Sequence, residues 1–396
     1  MTKRAAKHKP LANALLEQVT DRHLAAFHDA LGAWFEAHRR PMPWREADET
    51  GARNPYRVWV SEVMLQQTRV DTAVPYFERF MEAFPTPEAL ASADQDAVLK
   101  RWEGLGYYSR ARNLHRAAQQ IVAEHGGAFP ADEDAVRALP GVGPYTAAAV
   151  LSLAFGQPLA VLDGNVIRVL ARVFAVEQDS RAPLTRKALQ DLATGLLDRE
   201  RPARFNESVM ELGATVCTPR SPACAVCPLA TVCAARAGGD PEAFPVVSKR
   251  KPVPHQTVAV ALITDGDGRL LIQRRPEDAM LGGLWEFPGG KVEPSETAPE
   301  ACAREVAEEL SLSVDVGPEV ARVDHAYSHF TVTLHAFRCT LSPEAPPAGT
   351  SGEPVSASGE PVQWVRPDQL DDFAFPRANR KILDAIQAAS RQPSLF

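Results

Sequence analysis

The chain lacks any long apolar run: nothing in its 396 residues approaches the ~20 consecutive apolar positions that a bilayer-spanning helix needs. The basic start (Lys3, Arg4, Lys7, Lys9) is not followed by an apolar secretory segment, so export is not expected. Cysteine is scarce, and four of the six cysteines fall in one short segment. That argues for metal ligation in a reducing compartment rather than a disulfide framework. The other two, Cys302 and Cys339, read as small apolar residues. Excess positive charge is also missing. The net charge is −7, and a split after Arg250 gives 30 basic and 29 acidic residues before it, 13 and 21 after it. General attraction to a polyanion is therefore not the main guide to function, and motifs must carry it. No internal repeat is present.

At this length, with 45% hydrophobic residues, two globular units are expected. From His23 to about Ala235 apolar residues recur at three and four positions between Gly and Pro. This predicts helices such as Tyr56–Gln67, Asp134–Leu139, Tyr145–Phe155 and Val166–Phe174, with a polar loop over Arg45–Pro55. Ala237–Gln256, with Gly238-Gly239, four prolines and Lys249-Arg250-Lys251, reads as a linker. Beyond it the period changes. Strands are expected at Val258–Ile263 and Leu270–Gln273 around the turn Asp265–Gly268, then a helix over about Ala298–Leu310. Further strands fall near Val320–Asp324, Phe330–Arg338 and Val362–Val365, and a helix precedes the C-terminal spacer. Ser342–Pro361, rich in Pro, Gly, Ser and Glu, is expected to be a disordered excursion. The division is a tail (1–20), an all-α domain (21–236), a linker (237–256), an α+β domain (257–385) and a C-terminal tail (386–396).

Several segments carry chemistry. Leu139-Pro140-Gly141-Val142-Gly143-Pro144-Tyr145 is a glycine hairpin opening a helix, where Gly141 and Gly143 permit positive φ and the helix start offers N–H groups to an anion. Asp163, in Asp163-Gly164-Asn165, is either a helix N-cap or a reactive carboxylate. Glu62 lies in Val58-Trp59-Val60-Ser61-Glu62-Val63-Met64, where nearly every neighbour is apolar. That density points to a desolvated carboxyl with a raised pKa rather than a solvated helical face. Cys217, Cys224, Cys227 and Cys233 are spaced C-x6-C-x2-C-x5-C. Structural zinc usually takes two short knuckles, whereas iron–sulfur clusters tolerate longer gaps, and the spacing alone leaves both open.

Taken in order, these pieces resemble the helix-hairpin-helix DNA glycosylases with an iron–sulfur cluster, and among them the adenine DNA glycosylases, from about Leu24 to Asp384. The resemblance implies removal of adenine mispaired with 8-oxoguanine, or guanine, in duplex DNA, with a 4Fe–4S cluster on the four cysteines and Arg220 and Arg236 in a basic loop beside it. Glu62, in the family's SEVMLQQT stretch, would protonate the departing adenine, and Asp163 would stabilise the sugar cation, with Asn165 beside it. Tyr145 stands where the lyase branch has a Schiff-base lysine, and Ile167 where other relatives have a trappable one, so little AP-lyase activity is expected. Tyr145 would hydrogen-bond Asp163 instead. Gln67 and Tyr107 match wedge residues that fill the space of the flipped base, and Arg45 and Glu207 match the adenine pocket.

Gly290-x5-Glu296-x7-Arg304-Glu305-Val306-Ala307-Glu308-Glu309 resembles the Nudix box, with Ser311 in place of its final Gly. Glu305, Glu308 and Glu309 share a helical face, as Mg²⁺ ligands do and as a solvated acidic face also does. Such a domain in this family reads the oxidised guanine, and Tyr327-Ser328-His329 matches its recognition loop. Gln392–Phe396 resembles the peptide that docks on the bacterial sliding clamp. A monomer in a bacterial cytoplasm, associated with the nucleoid, is expected. The competing readings are an endonuclease-III-like pyrimidine glycosylase, a non-catalytic lesion sensor and a Nudix hydrolase tethered to DNA.

Overall fold

The helical periodicity of the first half produces helices whose ends are set by local chemistry, as a computed structural model describing residues 10–248, 252–327, 329–342 and 356–391 shows. Ser328, the peptide Gln392–Phe396 and residues 343–355 of the expected excursion lie outside the described residues. The chain forms two units: residues 1–91 with 116–250, and residues 92–115 with 251–396. Segment 92–115 thus groups with the C-terminal residues although it lies inside the helical stretch of the sequence.

In the first unit, Asn54 caps the helix Pro55–Leu65 by accepting from the Tyr56 and Arg57 amides at 2.9 and 3.2 Å, with Pro55 at the first turn. This helix is buried at Tyr56 and from Val58 to Met64, which explains its near-continuous apolar run. It stops at Leu65, short of the expected Gln67, because Gln66 leaves the helical region at ψ 111° and Gln67 continues the turn at φ +59°. The hairpin follows the helix Glu133–Ala138, capped by Asp132, and opens the helix Pro144–Phe155. Gly141 has φ +76°, as expected, but Gly143 does not: it is the N-cap residue at φ −90°. The tight turn therefore needs only the first glycine. Asp163 caps the helix Gly164–Val173, accepting from the Val166 amide at 2.7 Å. That helix meets Pro202–Thr215 at Gly213, where a Cβ would stand 2.6 Å from Asn165 Cβ and 3.0 Å from its Cα. Only glycine allows this approach.

The second unit is a mixed seven-stranded sheet: β1 (His255–Thr264), β2 (Leu270–Arg274), β3 (Trp285–Glu286), β4 (Gly289–Lys291), β5 (Val314–Ala326), β6 (Thr331–Leu341) and β7 (Val362–Val365). The order is β3-β2-β1-β6-β5, with β4 on β1 and β7 on β2; β1 and β6 run parallel and the other pairs antiparallel. Alternate residues of β1 enter different cores. Val260 and Leu262 pack with Trp285, Phe287, Phe375 and Ile382, whereas Ala259, Ala261 and Ile263 pack with Cys302, Val306 and Leu310. A strand covered on both faces reads as a continuous apolar run, which is what its sequence shows. The two thiols read as small apolar residues are both buried in the second core, with Cys302 Sγ 3.8 Å from Cys339 Sγ. Strands β3 and β4 are too short for alternation to reveal. Strand β5 is longer than expected because irregular pairing between Val316 and Ala321 accommodates Gly317 and Pro318.

The Nudix-box helix Ala298–Leu310 ends at Ser311 with φ +53°, the left-handed cap for which glycine is the usual residue. A non-glycine residue there is disfavoured by roughly 1 kcal/mol. Ser311→Gly is expected to stabilise the full chain by about 0.5 kcal/mol and Ser311→Val to destabilise it by about 1 kcal/mol, with the thermal midpoint rising and falling accordingly. Equal midpoints for all three would show that the cap carries no strain.

Candidate active site

A cavity of about 980 Å³ in the first unit is lined by Glu62, Asp163, Tyr145, Asn165, Arg45, Glu207 and Gln67, seven positions singled out from the sequence. Glu62 is only 5% exposed. Burial pushes its carboxyl up to about 7; Tyr145 pulls it back by donating its hydroxyl to Oε2 at 2.7 Å, while the negative Asp163 and Glu207 push it higher and Arg45 opposes them. The group can thus hold a proton near neutrality and release it within the cavity. The expected bond between Tyr145 and Asp163 is not formed. The phenol serves Glu62 instead, with Met210 Sδ 3.7 Å away on its other side.

Asp163 has its own partners. Oδ1 accepts from the Val166 amide at 2.7 Å and Oδ2 from Asn165 Nδ2 at 2.9 Å. Burial raises its pKa, and these donors together with Arg168 restrain the rise. Arg168, not singled out from the sequence, reaches Asn165 Oδ1, the Gly213 carbonyl and the Cys217 carbonyl, each at 2.7 Å. The N-cap reading of Asp163 is thus observed and is compatible with the chemical one: the cap bond orients one oxygen.

On another wall, Arg45 donates from Nε to Glu207 at 2.8 Å and from Nη2 to Glu211 at 3.0 Å, with its guanidinium 5.3 Å from the Phe35 ring centroid. Burial alone would lower its pKa, but the two carboxylates more than offset this and raise it. Glu211 is correspondingly held low: burial pushes up, and Arg40 and Arg45 overcome it. Arg40, Arg53 and Glu211 gave no signal in the sequence beyond being charged.

Gln67 and Tyr107 share a feature that no sequence pattern reveals. Both have left-handed backbones, φ +59° and +50°. Non-glycine residues hold such conformations at about 1 kcal/mol or more, and they cluster at functional sites. Tyr107 belongs to the second unit.

The four clustered cysteines are free thiols, half-buried around one small cavity with Arg172 and Arg236. Among the described residues no three ligand side chains surround a single metal-ion position. Four cysteines around one cavity supply the four thiolates that a 4Fe–4S cluster requires. Arg172 is fully buried, donates to Cys217 Sγ at 3.3 Å and also holds the Thr218 and Pro219 carbonyls. Its apolar neighbourhood, Val169-Leu170-Ala171-Arg172-Val173, is the same kind of signal that marks Glu62.

In the second unit the box carboxylates do not share a ligand position. Glu305 and Glu308 pair with Arg304 at 3.1 and 2.9 Å, and Glu309 accepts from Gln273 at 2.5 Å. Tyr327 stacks on Phe330 at 4.7 Å, and His329 is exposed.

Known proteins match this arrangement. Residues 60–194 match the HhH-GPD superfamily of base excision DNA repair proteins, 217–233 the iron–sulfur binding domain of endonuclease III, and 259–385 the NUDIX domain. A thermostable thymine-DNA glycosylase shares the fold over 55% of this chain and 98% of its own, with a TM-score of 0.50 and 28% identity. The adenine DNA glycosylase of Homo sapiens is 34% identical over 92% of this chain and 74% of its own, and that of Rattus norvegicus 36% identical over 93% and 79%. The chain belongs to the adenine DNA glycosylase family. It is thus a glycosidase of base-excision repair that acts on DNA, with an iron–sulfur domain at the four cysteines. No described helix is long and apolar enough to cross a membrane.

Two outcomes follow from this geometry. Purified chain should contain iron and acid-labile sulfide rather than zinc, and Cys227→Ala should lose both; zinc in their place would overturn the cluster. Glu62, raised from an unfolded value near 4.5, binds its proton more tightly folded than unfolded. Its contribution to stability is therefore full below about 4.5 and is lost as pH rises through about 7. Glu62→Gln should accordingly gain in melting temperature relative to the parent chain between pH 5 and pH 8.5; a constant difference would mean that Glu62 is not buried as described.

Proposed function

We propose that the chain removes adenine opposite 8-oxoguanine, and opposite guanine, with little AP-lyase activity. The observation that carries this reading is the pairing, in one cavity, of a carboxyl pushed up to about 7 with a second carboxylate held by an amide and an asparagine and favoured by the nearby charge of Arg168. Adenine leaves poorly until a ring nitrogen is protonated, so Glu62 is the proton donor. Asp163 faces the sugar and stabilises the cation left behind, its oxygens already oriented by Val166 and Asn165. Tyr145 holds Glu62 in place, and its phenol forms no Schiff base. Arg45 and Glu207 receive the flipped base. Gln67 and Tyr107, at their strained turns, take its place in the duplex.

The hairpin at Gly141 and Gly143 holds a phosphate with the amides opening the helix Pro144–Phe155. A Cβ on Gly143 would meet nothing within 4 Å, so that side of the hairpin is free for a backbone to approach. Tyr327, Ser328 and His329 contact the oxidised guanine.

Single-turnover base release should favour adenine opposite 8-oxoguanine over adenine opposite guanine. Glu62→Gln and Asp163→Asn should each slow it at least about a hundredfold while leaving duplex binding intact. Release from thymine glycol alone, or a borohydride-trapped adduct in high yield, would move the chain to the endonuclease-III-like branch.

A further inference from the structure

Five charged side chains alternate in sign along one wall of the cavity. Arg40 holds Glu211 through Nε and Nη2 at 2.6 and 3.2 Å, Arg45 spans Glu211 and Glu207, and Arg53 Nη2 donates to the remaining Glu207 oxygen at 2.6 Å. Glu207 and Glu211 stand one turn apart on the helix Pro202–Thr215, so a single guanidinium bridges them. Arg40 and Arg45 alone already balance the two carboxylates. Arg53 is a third cation, brought in from a separate loop and applied to the one oxygen the others leave.

That loop is shaped for the delivery. The Asp48 carboxylate accepts from the Thr50 amide at 2.8 Å, the Thr50 hydroxyl at 2.6 Å and the Ala52 amide at 3.0 Å, and Ala47 forms a β-bridge with Arg53. The next residue, Asn54, caps the helix that carries Glu62. The Arg53 side chain is 14% exposed and that of Glu207 5%, so the pair is shielded from solvent.

We propose that Arg53 is a positioning residue for Glu207, and that through it the cavity discriminates bases by their exocyclic group; this rests on the reading of the cavity as a base pocket. With a guanidinium on each oxygen, the Glu207 carboxylate is fixed in its plane and kept as an acceptor. Each oxygen retains one lone pair. An exocyclic amine, as in adenine, can donate to it; the carbonyl of hypoxanthine presents acceptor against acceptor, and purine presents neither. Freed of Arg53, the carboxylate can turn, and the distinction weakens.

The test is single-turnover release of adenine, purine and hypoxanthine from otherwise identical duplexes, using the full chain, Arg53→Gln, Arg53→Lys, Glu207→Gln and the double variant Arg53→Gln/Glu207→Gln. Arg53→Gln should lower adenine release about tenfold, the scale of one charge-assisted hydrogen bond. Its adenine-to-purine and adenine-to-hypoxanthine ratios should fall together, with Arg53→Lys in between. In the Glu207→Gln background the Arg53 change should have no further effect. Equal loss on all three bases, an unchanged ratio, or additive effects in the double variant would overturn the proposal while leaving the glycosylase reading intact. A parent chain that releases no adenine would overturn both.

Discussion

Glu62 stands in a helix whose neighbours Val58, Trp59, Val60, Val63 and Met64 are all withdrawn from water. An ionised carboxylate there would be opposed by the apolar surroundings and by the nearby charges of Asp163 and Glu207. The neutral acid needs far less. The Tyr145 hydroxyl, whose own ionisation is suppressed by burial, donates to the carboxyl and offsets only part of the penalty on its ionised form. The helical core thus does more than support the cavity: it sets the protonation state on which the cavity's chemistry depends. A carboxyl kept neutral by packing is also a destabilising group once it ionises, so stability and function pull against each other at this position.

The rest of the cavity separates roles by environment. Asp163 is also buried, yet it accepts from a backbone amide and from Asn165, and the nearby charge of Arg168 adds to their preference for its ionised form. Two carboxyls in one cavity, one surrounded by apolar side chains and one by donors, can act as acid and as charge stabiliser at the same pH. On another wall, Arg40 and Arg45 balance Glu207 and Glu211 and Arg53 exceeds them, so these two buried carboxylates add no net negative charge. Close packing holds these groups in register: Gly213 lets its helix touch Asn165, and Arg168 accepts no slack between Asn165, Gly213 and Cys217.

Much of this was legible in local patterns. The cysteine spacing, the hairpin, the apolar setting of Glu62 and the change of period after the linker are properties of contiguous residues. What was not legible depends on residues that meet only in three dimensions. Tyr145 chooses Glu62, 83 positions away, over the expected Asp163. Arg53 and Arg168 look like scattered surface charges until their carboxylate, amide and carbonyl partners are seen. The left-handed turns at Gln67 and Tyr107 leave no mark in residue type, and Gly143 is not used for the conformation its identity suggests. The grouping of 92–115 with the C-terminal residues likewise follows from packing, since nothing at Ser92 or His115 resembles a boundary.

The central claim is that burial, moderated by Tyr145, sets the proton affinity of Glu62 and through it the chemistry. The most direct measurement is the pH dependence of single-turnover adenine release by the full chain and by Tyr145→Phe, from pH 5 to pH 9. The parent rate should fall as pH rises through about 7, where Glu62 loses its proton. In Tyr145→Phe the donor that favours the ionised carboxyl is gone, so the fall should move to higher pH. A parent rate with no fall in this range, or a fall that stays in place or moves lower in the variant, would contradict it.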